Sequence, residues 1–314
     1  MALHYSHPPW LVRRWILQFG MAQTLELLRW NQSPPHLYVR MRKGTPPPDG
    51  CHPSPWSGYW HWDHNQRAEL LPLLKQGLAY VQDPFARSPV ALLSPEPGMR
   101  ILELCAAPGG KSTLLAEHMQ GKGELHCVDL PGPRLDRLRA NLGSLPESWQ
   151  SAIHIHGLDL TIDHPDHAPP AEWKGRFDAV MLDTPCGNTG VIRRRPDVKN
   201  RLTEESLAKI TEIQRKLLTR AIQWVRPGGR LVYSTCSLEP EENRQQIETL
   251  LASPEGRSLQ CGAFHEHFPP RQNHDGGGVY LLSPRDSQIS PRDNLSANPA
   301  APASFHPQTG NPTA

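Results

Sequence analysis

Two cysteines stand in turns of small and polar residues, each directly after an apolar run. Cys186 follows the run 177–182 through Asp183-Thr-Pro185, and Cys236 lies in the segment Ser234-Thr-Cys-Ser237. In an open α/β sheet, ligands collect outside the carboxyl ends of the strands, so we expect both thiols at one crevice. A cysteine can also be an inert, small apolar core residue. Two thiols at neighbouring strand ends nevertheless indicate covalent chemistry, in which a thiolate is the nucleophile.

A third apolar run, residues 101–104, leads into a glycine-containing turn that suits a cofactor. A phosphate-binding P-loop would need glycine where Cys105 stands, so that class is disfavoured. The alternative is a turn whose glycines let the backbone approach a nucleoside cofactor at a helix N-terminus. The predicted cofactor-binding residues of this turn are Cys105, Ala106, Ala107, Pro108, Gly109, Gly110 and Lys111.

Two carboxylates complete the predicted cofactor site. Asp129 lies about 20 residues after Gly109 and ends the next predicted strand, where a carboxylate can accept both ribose hydroxyls. Asp159 follows a third predicted strand and reaches the same rim. That strand carries His154 and His156 on one face, but a His-x-His pair lacks a third ligand at a familiar spacing. We therefore expect no metal site.

A basic cluster follows the Cys186 turn. The chain has a formal net charge of only +2, so a polyanion would have to be bound by a local surface. Charge runs are usually solvated surface, but cations beside the predicted crevice favour contacts to the phosphates of a nucleic acid. The predicted RNA-binding residues are Arg193, Arg194, Arg195, Lys199 and Arg201.

The elements that position these residues alternate between strands and helices from residue 76 onwards. Strands are predicted near 99–104, 124–128, 152–156, 177–182, 230–235 and 278–282. The clearest helix is Thr203 to Val225, with an apolar face at i, i+3 and i+4 steps. This pattern predicts an α/β fold with a doubly wound, mostly parallel sheet.

The leading residues predict a small subdomain. Residues 8–31 suit two short amphipathic helices broken near Gly20, and 34–43 suit a strand with basic residues. The aromatic segment 50–64 could stack on RNA bases, although packing as a hairpin is favoured. The predicted domains are an RNA-binding-type subdomain at 1–75, the α/β domain at 76–284 and a disordered tail at 285–314, which is rich in Ser, Asn, Pro and Ala.

The composition limits the protein class. The 314 residues include six cysteines without a C-x-x-C pair, which favours free thiols in a reducing compartment. No apolar run approaches the roughly 18 residues of a membrane span, and the N-terminus lacks the apolar region of a signal peptide. We therefore expect a cytoplasmic protein with no membrane partner.

The cofactor loop, the Asp183-to-Cys186 segment and the Ser234-to-Ser237 segment resemble the RNA (cytosine-5) methyltransferases, in particular the bacterial RsmB-like enzymes that act on small-subunit ribosomal RNA. Val81-Gln82-Asp83 is similar to that family as well. The resemblance implies a class I, Rossmann-like methyltransferase fold and S-adenosylmethionine as cofactor. It implies that the loop 105–111 grips this cofactor, with Asp129 on its ribose and Asp159 beside its adenine. It also implies that Asp183 faces the reaction centre, as a cofactor-binding residue that also meets the target base. It implies that Cys236 attacks and that Cys186 assists release of methylated RNA.

Two departures from the family pattern motivate a second hypothesis. Gly187 and Asn188 replace the usual Ser-Gly, and Gly276-Gly-Gly278 replaces two aromatic residues. RsmB-like enzymes also carry an N-terminal RNA-binding domain that this chain is too short to contain, so a separate RNA-binding partner could supply that grip. The alternative function is a catalytically impaired RNA-binding or ribosome-assembly protein that retains the methyltransferase fold.

Overall fold

A computed structural model describes residues 1–62 and 67–285 of the chain. The remainder of the predicted tail, 286–314, lies outside the described residues. The strands are β1 Tyr38–Met41, β2 Cys51–Pro53, β3 Tyr59–Trp62, β4 Ala79–Val81, β5 Arg100–Leu104, β6 Glu124–Asp129, β7 Ile153–Gly157, β8 Phe177–Asp183, β9 Val225–Thr235, β10 Leu259–His267 and β11 Gly277–Pro284. The α-helices are α1 Pro9–Gln32, α2 Arg67–Lys75, α3 Arg87–Leu93, α4 Gly110–Met119, α5 Pro133–Gly143, α6 Glu147–Gln150, α7 Val198–Arg201, α8 Glu204–Trp224, α9 Arg244–Ala252 and α10 Pro269–Gln272.

The larger sheet of the described chain has seven strands in the order β10-β11-β9-β8-β5-β6-β7. β7, β6, β5, β8 and β9 pair in parallel, whereas β11 is antiparallel to both of its neighbours. The predicted doubly wound, mostly parallel sheet is therefore confirmed. The carboxyl ends of β5, β6, β7, β8 and β9 lie at one edge of the sheet, where the predicted site residues follow.

Both faces of this sheet are covered by helices, because its strands alternate apolar side chains to either side. On one face Ile101 and Met181 pack with Leu115 of α4 and Leu138 of α5. On the other face the strand residues pack with Leu217 of α8 and with α9. α8 begins at a capping box, in which the Thr203 hydroxyl accepts from the Ser206 N–H, and it ends within one residue of the predicted terminus.

The leading residues form a second, antiparallel sheet of four strands in the order β2-β3-β1-β4. α1 is interrupted at Gly20, whose φ of 79° is non-helical, so the predicted break is confirmed. β2 and β3 form the hairpin that was favoured for the aromatic segment. β4 lies beyond residue 75, so this sheet contains residues from both sides of the predicted domain boundary, and that division stays a prediction.

α1 packs against the larger domain. Its buried residues Leu11, Trp15, Leu27 and Leu28 share a core cluster with Ile192, Val198, Leu202, Leu207 and Leu238. These last residues flank the two cysteine turns. Among the described helices, none combines the length and the apolar character needed to span a membrane.

Candidate active site

The two cysteine thiols meet at the carboxyl ends of β8 and β9. These strands are parallel neighbours with Asp183 opposite Ser234, so the turns after them start at the same level. The Sγ atoms of Cys186 and Cys236 lie 2.9 Å apart, and the Cys236 N–H donates to Cys186 Sγ at 3.3 Å. The hydrogen bond with Cys236 and burial raise the pKa of Cys186 well above its usual value. Cys186 is therefore a protonated thiol near neutral pH.

Asn188 holds the Cys186 turn in shape. Its φ of 62° lies in the left-handed region, which asparagine tolerates better than most residues. Its side-chain amide donates to the Cys186 carbonyl at 2.6 Å, and its Oδ1 accepts from Cys236 Sγ at 3.2 Å. The replacement of the family's glycine by asparagine therefore preserves the turn and adds contacts to both cysteines.

Asp183 is the last residue of β8 and lies at the same edge of the sheet as the two thiols. Its carboxylate accepts from Lys111 Nζ at 2.6 Å and from Ser234 Oγ at 2.7 Å. Burial lowers the pKa of Lys111, but the Asp183 carboxylate outweighs it, and the pKa is raised overall. Lys111 is therefore a cation at the end of β8 as well as part of the predicted cofactor loop.

Two residues of the loop 105–111 have a positive φ, which turns the chain sharply at this point. Cys105 has a φ of 58° and Gly109 a φ of 103°, and a Cβ atom on Gly109 would lie 2.9 Å from Leu138 Cδ1. Gln82 anchors the loop by donating to the Gly110 carbonyl at 2.7 Å. Burial raises the pKa of Cys105, so its thiol is neutral near neutral pH.

Asp129 lies against this loop, as predicted from the sequence. Its Oδ2 accepts from the Ala107 N–H and its Oδ1 from the Leu130 N–H, both at 2.8 Å. Each carboxylate oxygen has a second lone pair, so the group can still accept hydroxyl hydrogens. Asp129 thus fits a ribose placed at the N-terminus of α4.

Asp159 follows the end of β7. Its Oδ1 accepts from the Thr161 N–H at 2.8 Å and from the Thr161 hydroxyl at 2.6 Å. Burial alone would raise its pKa, but these bonds outweigh burial and lower it, so the group is an ionised acceptor. Asp159 therefore shapes its own loop at the rim of the sheet.

A buried acid, Glu103, lies under the cofactor loop and was missed by the sequence reasoning. It belongs to β5 and is 1% exposed, and burial raises its pKa from 4.5 to about 8. The nearby cation Lys111 counteracts part of this rise. A lone acid in the apolar run Ile101-Leu-Glu-Leu104 was the signal that could have found it.

The basic cluster is not one free surface, because two of its members contact distant parts of the chain. The Arg193 guanidinium stacks on Trp30 at 4.0 Å and donates to the Ser33 carbonyl at 3.2 Å. Arg194 bridges Asp83 at 2.7 Å and Asp275 at 2.9 Å inside the protein. Arg193 therefore fastens the end of α1, and Arg194 joins the leading sheet to the start of β11.

The other three cations remain available to a ligand. Arg195 and Arg201 are exposed and Lys199 is half-buried. Arg201 forms an ion pair with Asp197 at 3.6 Å, a contact of little strength at an exposed site. These three residues lie just beyond the Cys186 turn, and the RNA-binding role of the cluster stays a prediction.

Helix α1 supports the loop that follows Cys236. Glu239, which is fully buried, accepts from Trp15 Nε1 and from Arg14 Nε, both at 3.0 Å. Gln18 donates to the Leu238 carbonyl at 2.8 Å. The N-terminal helix therefore holds backbone and side chain within three residues of the thiol.

The histidines of β7 pack among aromatic rings. His126 of β6 lies 4.6 Å from the ring of His154 and stacks at 5.2 Å on His156, beside Trp173. Burial is the main cause that lowers the pKa of His126 to about 4. No group of His, Cys, Asp and Glu in the described part of the chain is arranged to hold a metal ion.

The strand order, the reversed β11 and the cofactor loop define a class I methyltransferase. The fold resembles two solved structures from Pyrococcus horikoshii: a methyltransferase homolog (22% identity, 90% of this chain and 97% of that one, TM-score 0.70) and NSun6 with SFG (17%, 88% and 98%, TM-score 0.70). The crystal structure of PH0851 is similar too, at 25% identity, TM-score 0.79, and 90% and 67% coverage.

The sequence matches the 16S rRNA methyltransferase RsmB/F family over residues 90–283, and the chain belongs to that family. It is 34% identical over 288 residues to the ribosomal RNA small subunit methyltransferases B of Salmonella paratyphi B and Salmonella heidelberg. The match covers 87% of this chain and 64% of each relative. The chain thus spans about two thirds of their length.

Proposed function

We propose that the chain is an S-adenosylmethionine-dependent RNA cytosine-5 methyltransferase that acts on ribosomal RNA through a covalent cysteine–cytosine adduct. The observation that carries the proposal is the meeting of two thiols, 2.9 Å apart, at the ends of neighbouring strands. The names of the Salmonella relatives support small-subunit ribosomal RNA as the substrate.

The residues of the loop 105–111 and Asp129 fit the cofactor. The helix N-terminus and the glycine backbone suit its nucleoside and carboxylate portions, and Asp129 keeps lone pairs for ribose hydroxyls. In the proposal Asp159 lies beside the adenine. When bound, S-adenosylmethionine supplies the methyl group.

Carbon 5 of cytosine is too weak a nucleophile to accept a methyl group unaided. In the proposal the Cys236 thiolate adds to carbon 6, a new S–C6 bond forms, and the electrons of the C5–C6 double bond are displaced towards carbon 5 and the ring. N3 takes up a proton from solvent as the thiolate adds and loses it again when the adduct collapses. Asp183, held by Lys111 and Ser234, accepts a hydrogen bond from this N3–H and so favours the addition. The base must leave any stack to meet the thiol.

Release follows once carbon 5 carries the methyl group. A base removes the carbon 5 proton, the C5–C6 double bond re-forms, and the electrons of the S–C6 bond return to Cys236. The Cys186 thiol, protonated and 2.9 Å from Cys236, donates to the departing sulfur. The three exposed or half-exposed cations after Cys186 bind phosphates of the substrate in this proposal.

The test is transfer of a labelled methyl group to ribosomal RNA. Cys236→Ala is expected to abolish transfer, and Cys186→Ala is expected to accumulate a covalent RNA adduct on denaturing gels. Cys261→Ala, at a thiol of the edge strand β10, is the matched control and should resemble the parent. Normal turnover by the Cys236 variant would refute the assigned role.

The packing of the substituted turns supports catalysis over the non-catalytic alternative. Asn188 keeps the required left-handed backbone. A Cβ atom on Gly276 would lie 2.6 Å from the His267 carbonyl oxygen, and one on Gly277 would lie 2.0 Å from that of Thr235. Gly277 therefore permits close packing against the Cys236 strand, and Gly276 permits close packing against the end of β10. Titration calorimetry with the cofactor separates the two hypotheses, since absence of binding would favour the assembly protein.

A further inference from the structure

Glu242 is a fully buried carboxylate close to both cysteine turns. It ends the short 3₁₀ helix Pro240–Glu242 and is 0% exposed. Its Oε2 accepts from the Gly187 N–H at 2.7 Å and from Gln214 Nε2 at 2.8 Å, and its Oε1 accepts from the Ser237 hydroxyl. A buried carboxylate with three donors is satisfied, whereas one without them would be strongly destabilising.

These donors belong to two different strand ends. Gly187 is the residue after Cys186, and Ser237 is the residue after Cys236, so a single carboxylate is bonded to both turns. Gln214 of α8 extends the link, because its amide also donates to the Pro185 carbonyl at 2.9 Å. Parallel pairing of β8 and β9 ends before the thiols. Beyond it the turns are joined by a backbone bond from the Gly190 N–H to the Cys236 carbonyl at 3.0 Å and by the side-chain bonds of Glu242.

We propose that Glu242 is a positioning residue that holds the Cys186 and Cys236 thiols at their working separation. The proposal rests on the roles given to the two thiols in the proposed function. Glu242 forms no hydrogen bond to either sulfur and acts through the neighbouring backbone and hydroxyl. Its negative charge also contributes, after the Cys236 bond and burial, to raising the pKa of Cys186.

Gly187 is suited to this arrangement. A Cβ atom there would lie 2.7 Å from Glu242 Oε1 and 3.3 Å from Leu202 Cδ1. The absence of a side chain therefore lets the carboxylate approach the turn directly. Gly187→Ala should displace the carboxylate without removing it, and so provides a second perturbation of the same link.

Disulfide formation by diamide tests the separation without any methyl transfer. Diamide takes up two electrons and two protons as two thiols become a disulfide, and peptide mass spectrometry identifies the Cys186–Cys236 pair. Glu242→Gln replaces one carboxylate oxygen by an NH₂ group, which cannot accept a hydrogen bond from the Gly187, Gln214 or Ser237 donors. The two turns are then held less firmly, and we expect the cross-linking rate to fall tenfold or more. Glu117→Gln is the matched control, because that carboxylate is only 15% exposed but pairs with Arg40 of β1 and contacts neither cysteine turn. Its rate should stay within twofold of the parent.

Steady-state kinetics give the second measurement. Glu242→Gln should lower kcat for ribosomal RNA methylation at least tenfold while KM for RNA and cofactor stays within about twofold, since neither binding surface includes Glu242. A general loss of structure would instead change KM and the thermal unfolding midpoint together. If Glu242→Gln does not fold, Gly187→Ala decides, and it should slow both cross-linking and turnover.

The outcomes separate this inference from the proposed function. A cross-linking rate equal to that of the parent in a folded Glu242→Gln or Gly187→Ala variant overturns the positioning role, whatever the activity. A parent protein that cross-links in a Glu242-dependent manner but transfers no methyl group leaves the positioning role standing and refutes the proposed function. Slower cross-linking with an unchanged kcat overturns the catalytic importance of the separation.

Discussion

The buried acid Glu103 should make the stability of the ligand-free protein fall as pH rises, and Glu103→Gln should remove that dependence. Burial raises the pKa of this carboxyl from 4.5 to about 8 in the folded chain. Below about pH 4.5 the Glu103 carboxyl is protonated in both the folded and the unfolded chain, so its ionisation does not change the stability. Between pH 4.5 and 8 only the unfolded state ionises, so the contribution is lost as pH rises and the loss levels off above pH 8.

The size of this effect follows from the shift. One proton bound only by the folded state changes the free energy of unfolding by up to about 1.4 kcal/mol per pH unit, which amounts to about 2.5 kcal/mol between pH 5 and pH 7. Urea unfolding followed by circular dichroism at pH 5, 6 and 7 measures this change. The free energy of unfolding of Glu103→Gln, relative to that of the parent, should rise by about 2.5 kcal/mol between pH 5 and pH 7.

A matched exposed acid provides the control for this series. Glu205 is 77% exposed and pairs with Lys209 on α8, so Glu205→Gln should leave the pH dependence of the parent unchanged. Parallel curves for the parent and Glu103→Gln would mean that Glu103 is ionised in the folded protein at pH 5. The account of its burial beneath the cofactor loop would then be refuted.

Two further substitutions test the divided basic cluster. Arg194→Gln leaves the buried Asp275 and the partly buried Asp83 without their cation, and should lower the free energy of unfolding by about 3–5 kcal/mol. Urea denaturation at pH 8 measures this change, because burial raises the pKa of Asp275 to about 7 and the group is ionised at pH 8. A change below 1 kcal/mol would contradict the internal role. Replacing the three accessible cations Arg195, Lys199 and Arg201 by alanine should weaken RNA binding. In filter-binding assays with single-stranded RNA, it should also reduce the slope of log affinity against log salt by about 2. An unchanged slope would place the RNA contacts elsewhere.

The sequence predicted the sheet well where its strands are buried on both faces. Runs such as 177–182 are continuously apolar, and burial of both faces requires that pattern. β10 was missed because Leu259–His267 is half-exposed and interrupted by polar residues, as an edge strand can be. β4 was missed because three residues are too few for a periodic signal.

The sequence predicted the meeting of the two thiols for a geometric reason. Parallel neighbouring strands end at one edge, so residues that follow their carboxyl ends must converge. It did not predict which cations are internal, since Arg193, Arg194 and Arg195 are identical in type. The contacts of Arg193 and Arg194 depend on Trp30, Asp83 and other residues that are distant in sequence and come close only in the folded chain.

Helix α1 also bears on how this enzyme family can be dissected. A fragment that begins at β1 keeps all seven strands of the large sheet, the cofactor loop and both thiols. It lacks Arg14 and Trp15, so the buried Glu239 carboxylate loses both side-chain donors three residues after Cys236. Such a fragment would keep the loop 105–111 while the loop after Cys236 lost its support from α1. Cofactor binding and methyl transfer would then be separable properties of the chain.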